Sequence, residues 1–569
     1  MNSFKRVVEF LFMGKKNKRK PTSNQKPAWT SPQPSLQQNK KIIDIYWIML
    51  IVVILFIAFI RVRLAGVPLE RDEGEYAYIG KLILDGTPPY TDAYNMKLPG
   101  TYYMYALLMA IFGKSIYGIH YGLLIINSGA IIFFFLAFRK LFNAPVAFFT
   151  ASVYGIMTVA PSALGFAAHA TQYVSFFVSL ALFFLARYYE QQRFLFSFLT
   201  GLMFGLAFLM KQQAVFFLVF GGIAVMLPFV QEKLWKIKLI LIQGSVFSCA
   251  ALIPYVSTLI VLKASGAFDK FWFWTVQYAS KYAVGFSWKD GMKALASSFT
   301  PMWKEFGFFW ILFLAGIVLI FLSKFSRKQK LFALSFTFFA FLTICPGLYF
   351  RKHYFIPFFP AVALLGGITI YFLSDIIAKR FKFKRFALLP ALVFSIVAIV
   401  SVSQKKAYYF QLEPNEISRL IYEYNPFPES LEIAGYIKDH TKATDRIVVM
   451  GSEPQIYFYA DRHSATGYIY TYSLVERQKY NLKMQQEMIA EIEKNNPEYI
   501  VYSMVSTSWL RQEGSPSLIF DWFNGYAKEH YDLTGVVDIL NDHTVFKWDN
   551  EAKYYKPGGL DLLIYKKTK

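Results

Sequence analysis

Charge is scarce in this chain. Only 17% of its 569 residues are Asp, Glu, Lys or Arg, where a soluble globular protein carries about 25%. The shortage falls in repeated apolar runs, which argues against a water-soluble enzyme and for a chain that crosses a membrane many times. Cysteine is nearly missing. Cys249 and Cys345 are the two, and both sit in apolar runs, which argues against a disulfide framework and a cysteine-built zinc site. Acids are outnumbered, 37 against 60 basic residues. Part of the surplus lies in residues 1–41, where Glu9 is the one acid. A basic tail beside a membrane span holds that end in the cytoplasm more often than it binds nucleic acid, so no nucleic-acid partner is expected.

What is abundant is apolar and aromatic. Hydrophobic residues make up 55% and aromatic residues 19%, with 59 Phe. The fold class read from this is a polytopic α-helical membrane protein with about eleven spans. They run at about Ile42–Ile60, Tyr117–Phe138, Ala144–Pro161, Tyr173–Tyr189, Phe194–Met210, Ala214–Val230, Leu239–Leu262, Glu305–Phe325, Leu331–Cys345, Tyr354–Leu373 and Phe386–Val402. The segment 1–41 reads as a disordered tail. Val7–Met13 contains Glu9 and has no small-residue cleavage site, so it does not read as a signal peptide. The first span then serves as an uncleaved anchor. Basic clusters at Arg139-Lys140, Arg187 with Arg193, Lys233–Lys238, Lys324–Lys330 and Lys379–Arg385 fall on every second loop. The positive-inside rule makes those loops cytoplasmic. The loops 61–117, 263–303 and 347–353 and the tail 403–569 are then extracytoplasmic. The tail has the size of a domain. Strand-like runs at Arg446–Gly451, Tyr499–Tyr502, Thr544–Lys547 and Leu562–Tyr565, with helical patterns at Glu429–His440 and Gln478–Asn495, predict a small α/β unit.

Chemistry concentrates in the first outer loop. Asp72 and Glu73 open a helical pattern over residues 72–85, and Lys97 precedes Leu98-Pro99 further along. Adjacent helix positions point about 100° apart, so Asp72 and Glu73 cannot both aim at one atom. Proline pushes its neighbours towards extended backbone, so a loop presents Lys97, where an ammonium can meet a phosphate or simply snorkel. Thr101–Gly113 is apolar but too short for a bilayer, which needs about 20 residues; it reads as a helix in the interface. Arg351-Lys352-His353 is a basic cluster on the outer side, where positive charge is disfavoured. It suits an anionic partner such as a lipid phosphate, or anchoring to headgroups. Lys211 sits at a tight outer turn, as a cavity-facing cation or as a hairpin tip. His169, with Gln172, stands at the outer start of a span. No partner histidine lies at metal spacing, so His169 reads as a hydrogen-bonded interfacial residue and not as a ligand. A transporter or flippase is the alternative class, but it should carry ionisable residues at mid-depth, and here they gather at the outer rim.

A resemblance adds to this. Asp72-Glu73-x-x-Tyr76-Ala77, Gly86-x-x-Pro89-Tyr90, Lys97-x-Pro99-x-x-Tyr102 and Phe112-Gly113 resemble the first outer loop of the GT-C membrane glycosyltransferases. The protein O-mannosyltransferases, the lipid A aminoarabinose transferases and their bacterial relatives are the nearest in kind. Lys211 after Gly205-Leu-Ala-Phe-Leu-Met, the stretch from Arg351 to Pro360, and the tail stretch from Val449 to Arg462 are similar as well. The resemblance implies a GT-C fold in the cytoplasmic membrane. It implies inverting transfer of a hexosyl or pentosyl group from a polyprenyl-phosphate donor to a hydroxyl on a glycan, lipid or protein. Asp72 would be the base, supported by Glu73. Lys97, Arg351, Lys352 and His353 would hold the donor phosphate, and Tyr76, Lys211, His169 and Gln172 would line the cavity. Many relatives carry a second acid where this chain has His169 to Gln172, and Gln cannot act as a base. No Asp-x-Asp pair appears, so neither metal nor cofactor is expected.

Overall fold

The computed structural model describes residues 39–229, 237–282, 287–381 and 388–568. The basic tail up to residue 38, and parts of the expected basic loops at 233–238 and 379–385, lie outside the described residues. Among the described residues, seven helices are long and apolar enough to cross a membrane: Ile45–Arg63, Ile116–Leu141, Ala170–Gln191, Gln212–Phe229, Ile237–Ala264, Trp288–Leu322 and Lys352–Arg380. Four further expected spans are helices of 14, 17, 16 and 16 residues, at Ala144–Met157, Phe194–Met210, Arg327–Leu342 and Leu389–Gln404. By length and apolarity, seven of the described helices qualify as candidate spans, and the count of about eleven is not confirmed. The segment expected as a loop up to 303 is also corrected. It is helical from Trp288 on, with Pro301 inside the helix and a kink at Phe306.

Helix α1 (Asn39–Arg63) leads into the first loop, where α2 (Arg71–Leu84) and α3 (Gly100–Phe112) form. The C-terminal part builds one six-stranded mixed sheet. Its strands are β1 (Arg446–Met450), β2 (His463–Ser464), β3 (Tyr499–Ser503), β4 (Tyr531–Ile539), β5 (Thr544–Trp548) and β6 (Asp561–Lys567). Their order is β2-β1-β3-β6-β4-β5. The β1 strand runs parallel to β2 and β3, while β6 pairs antiparallel with β3 and β4, and β5 pairs antiparallel with β4. β1 is buried almost throughout, as its unbroken apolar run requires.

The sheet domain sits on α2. Arg71 donates to the Ser452 carbonyl at 2.5 Å and pairs with Glu453 at 3.1 Å. Gly74 lets the backbones touch, since a Cβ there would lie 2.6 Å from the Gln455 nitrogen. The Tyr94 N–H donates to the Gly467 carbonyl at 2.7 Å, tying the rest of the loop to the same domain. The loop is thus clamped between the membrane helices and the sheet.

Candidate active site

Helix α2 starts where Glu70 caps it, its carboxylate accepting the Glu73 N–H at 3.0 Å. Asp72 and Glu73 fall in the first turn, where the helix dipole favours negative charge. From there they part. Glu73 turns inward and is fully buried; its Oε1 accepts the Ala168 N–H at 2.6 Å and stands 3.1 Å from His120 Nε2. It does not line the cavity, and its contacts are those of a structural brace and not of a support for Asp72. Asp72 faces a cavity of about 480 Å³.

Glu75 and Tyr76 follow Asp72 at i+3 and i+4, on the same helix face. Lys97 reaches that face from the loop before α3. Its Nζ lies 2.8 Å from Asp72 Oδ1 and 2.7 Å from Glu75 Oε2, and 4.6 Å from the centre of the Tyr76 ring. Tyr102 donates its hydroxyl to Glu75 Oε1 at 2.6 Å. Glu75 therefore holds Lys97 in place. Sequence reasoning missed it, although its i+3 spacing from Asp72 was a usable signal. Burial works against the charge on Asp72, but Lys97, with His169 and Arg351 beyond, outweighs it and holds the carboxyl well below the usual carboxylate range. On Glu75 burial outweighs the pull of Lys97, and its pKa is raised.

Close backbone approach brings a second cation in. A Cβ on Gly100 would lie 2.5 Å from the Leu209 carbonyl oxygen, so α3 begins directly against the end of helix Phe194–Met210. Thr101 donates to the Met210 carbonyl at 2.9 Å, and Gln212 to the Met96 carbonyl at 2.8 Å. Lys211 then projects into the same cavity, its Nζ 3.9 Å from the Tyr354 ring centre. Burial, helped by repulsion from Lys97 and Arg351, outweighs the pull of Asp72 and pushes this ammonium down to about 7. Arg351 and His353 line the wall beside it, and Lys352 does not.

The C-terminal domain supplies the rest of the wall. Tyr470 has its hydroxyl 3.5 Å from Asp72 Oδ1. Tyr472 and Glu476 also face the cavity, and Glu476 accepts a hydrogen bond from the Tyr278 hydroxyl at 2.5 Å. Nothing in the sequence marked these residues.

His169 and Gln172 lie behind the lining. Gln172 donates to the Gly165 carbonyl at 3.0 Å and braces the turn before its helix. His169 is not the hydrogen-bonded residue expected, because neither ring nitrogen has a hydrogen-bond partner. Its ring instead stacks on His353, with centres 4.0 Å apart and planes at 16°. Burial, against the pull of Asp72 and Glu73, pushes its pKa down to about 4. Asp72, His169 and His353 each offer a ligand atom, and these atoms lie within 4.8 Å of one another. The missing Asp-x-Asp pair thus does not exhaust the donor sets of this site.

Residues 96–258 match the family model of dolichyl-phosphate-mannose-protein mannosyltransferases. No curated protein matches the chain in sequence. Solved structures do match in fold. ArnT from Cupriavidus metallidurans bound to undecaprenyl phosphate aligns with a TM-score of 0.56 at 15% identity, covering 88% of this chain and 97% of that one. The archaeal oligosaccharyltransferase AglB from Archaeoglobus fulgidus, in complex with an inhibitory peptide and a dolichol-phosphate, aligns with a TM-score of 0.52 at 13% identity, covering 92% and 77%. An Archaeoglobus fulgidus oligosaccharyltransferase in complex with Zn and sulfate gives 0.53 at 15%, covering 87% and 73%. With its membrane helices, its clamped first loop and its C-terminal sheet, this chain has the fold of the GT-C membrane glycosyltransferases.

Proposed function

We propose that this protein is an inverting glycosyltransferase that moves a sugar from a polyprenyl-phosphate donor to a hydroxyl acceptor. In this reading it works at the outer face of the cell membrane, with the N-terminus in the cytoplasm and residues 403–569 outside. The carrying observation is that one cavity holds a charged carboxylate, Asp72, among the cationic side chains of Lys97, Lys211 and Arg351. Its volume falls in the range of small-molecule sites, about 300–1,000 Å³. The lipid phosphates bound by ArnT and AglB support a donor of that class.

In this reading the acceptor hydroxyl gives its proton to Asp72 while its oxygen attacks the anomeric carbon. The bond from that carbon to the phosphate oxygen breaks on the opposite side, and the electron pair leaves on the phosphate. Configuration inverts. Lys97, Lys211 and Arg351 neutralise the departing charge from fixed positions. Lys97 has a second effect. While it touches Asp72 it keeps that carboxylate a weak base, and as the phosphate draws it away Asp72 becomes more basic. Glu75, anchored by Tyr102, keeps Lys97 within reach of both.

The test is a paired lipid analysis. Wild type and Asp72→Asn are expressed at matched membrane levels in a host lacking its own copy, and polyprenyl-phosphate sugars are compared by mass spectrometry. One glycolipid should accumulate with the variant alone, and its mass gives the sugar class. Equal lipid pools, with wild type alone restoring function, overturn the donor assignment.

A further inference from the structure

We propose that Asp72, His169 and His353 form a binding site for one divalent cation of the Zn²⁺ class. Their donor atoms lie within 4.8 Å of one another. Two imidazoles and one carboxylate make a three-ligand set that leaves a coordination position open. The set suits zinc and its neighbours, whereas Mg²⁺ and Ca²⁺ prefer shells of oxygen. This departs from the metal independence expected from the missing Asp-x-Asp pair.

A second observation concerns His169 itself. It is 2% exposed, and both ring nitrogens are without a hydrogen-bond partner. Buried polar groups are nearly always satisfied, and an ion would satisfy one of these nitrogens. Glu70 Oε1 stands 3.6 Å from His169 Nδ1. Metal-binding histidines commonly turn their other nitrogen towards a carboxylate, which fixes the tautomer and strengthens the ligand. Glu70 holds that place.

The surroundings say how the site would load. The two imidazoles lie nearly parallel, so their lone pairs run side by side. Converging on an ion at about 2.0–2.1 Å takes a rotation of one ring about its Cβ–Cγ bond. The hydrogen bonds from Lys97 and Tyr470 both end on Asp72 Oδ1, which leaves Oδ2 for the ion. Lys97 competes for this carboxylate and repels a dication, so removing its charge should tighten binding. When bound, the ion would act as a Lewis acid towards an oxyanion in the cavity.

The test counts metal and needs neither donor nor acceptor, so it stands or falls apart from the transfer reading. The full-length chain, purified in detergent and stripped with a chelator, is titrated with Co²⁺ and with Zn²⁺. The visible absorption of Co²⁺ reports its coordination, and mass spectrometry counts bound Zn²⁺. The expected result is one ion per chain. His169→Ala and His353→Ala should each weaken binding by at least about tenfold, and Glu70→Gln by about 10–100-fold. Lys97→Met should strengthen binding, a gain that misfolding cannot produce. Wild type that binds no ion overturns the proposal, and so does equal affinity in wild type and both histidine variants.

Discussion

Replacing Asp72 with Asn keeps the shape of the side chain and removes its charge and basicity. Lys97 would still hold Glu75 Oε2 at 2.7 Å, and Tyr102 would still hold Glu75 from the other side. The Asp72 side chain is 20% exposed to the cavity and that of Lys97 is 23%, so no deeply buried partner is orphaned. Because Lys97 keeps Glu75, stability should change by about 1–3 kcal/mol, the range for a weakened hydrogen bond at a largely buried group. Transfer should not survive. A general base contributes about 10²–10⁴-fold, equivalent to about 2.7–5.4 kcal/mol of barrier. Glu73→Ala should fail in the opposite way. It removes the acceptor of the Ala168 N–H and the partner of His120, both inside the protein. Each orphaned buried group costs about 1–3 kcal/mol, or about 2–6 kcal/mol together. That is a large part of a typical total of about 5–15 kcal/mol. The assay pairs sugar transfer in membranes with melting of the detergent-solubilised chain. Asp72→Asn turning over at the wild-type rate, or melting as early as Glu73→Ala, would refute the division of labour between the two carboxylates.

Gly74→Ala should push the C-terminal domain off α2, because the new methyl would meet the Gln455 backbone at 2.6 Å. Overpacking of this kind costs about 1–3 kcal/mol, and limited proteolysis should cut the domain faster than in wild type. Tyr102→Phe should leave Glu75 short of a donor and cost about 1.5–3 kcal/mol, read as a lower melting temperature with a raised donor KM. Lys211, pushed down to about 7, is protonated below that pH and neutral above it. Donor KM should therefore rise as pH climbs through 7. Lys211→Arg, charged at every accessible pH, should flatten the profile, and an unchanged profile in that variant would remove Lys211 from the anion site.

Much of this was legible in the chain. Apolar runs mark helices because lipid-facing and core-facing surfaces are both apolar. Hydropathy could not separate a helix of spanning length, such as Ile116–Leu141, from a 14-residue one such as Ala144–Met157. Nor did it show that a helix already begins at Trp288, ahead of Pro301. In the sheet, β1, β3, β5 and β6 were readable as apolar runs. β2 is two residues long, and β4 contains Gly535 and a break in register between Leu533 and Gly535, so neither carries a clean alternating pattern.

The site divides in the same way. Sequence alone placed Asp72, Glu73 and Lys97 in one segment, 61–117, between two apolar runs, and helix periodicity alone said that the two acids must diverge. Which one turns inward depends on what packs against α2, and that is His120 and Ala168 on one side and the cavity on the other. The stacking of His169 on His353, the entry of Lys211 beside Gly100, and the wall of Tyr470, Tyr472 and Glu476 join segments far apart in the chain. Spacing in a sequence reports neighbours along one helix or strand. Contacts between elements are set by how their surfaces pack, and only the tertiary structure decides them.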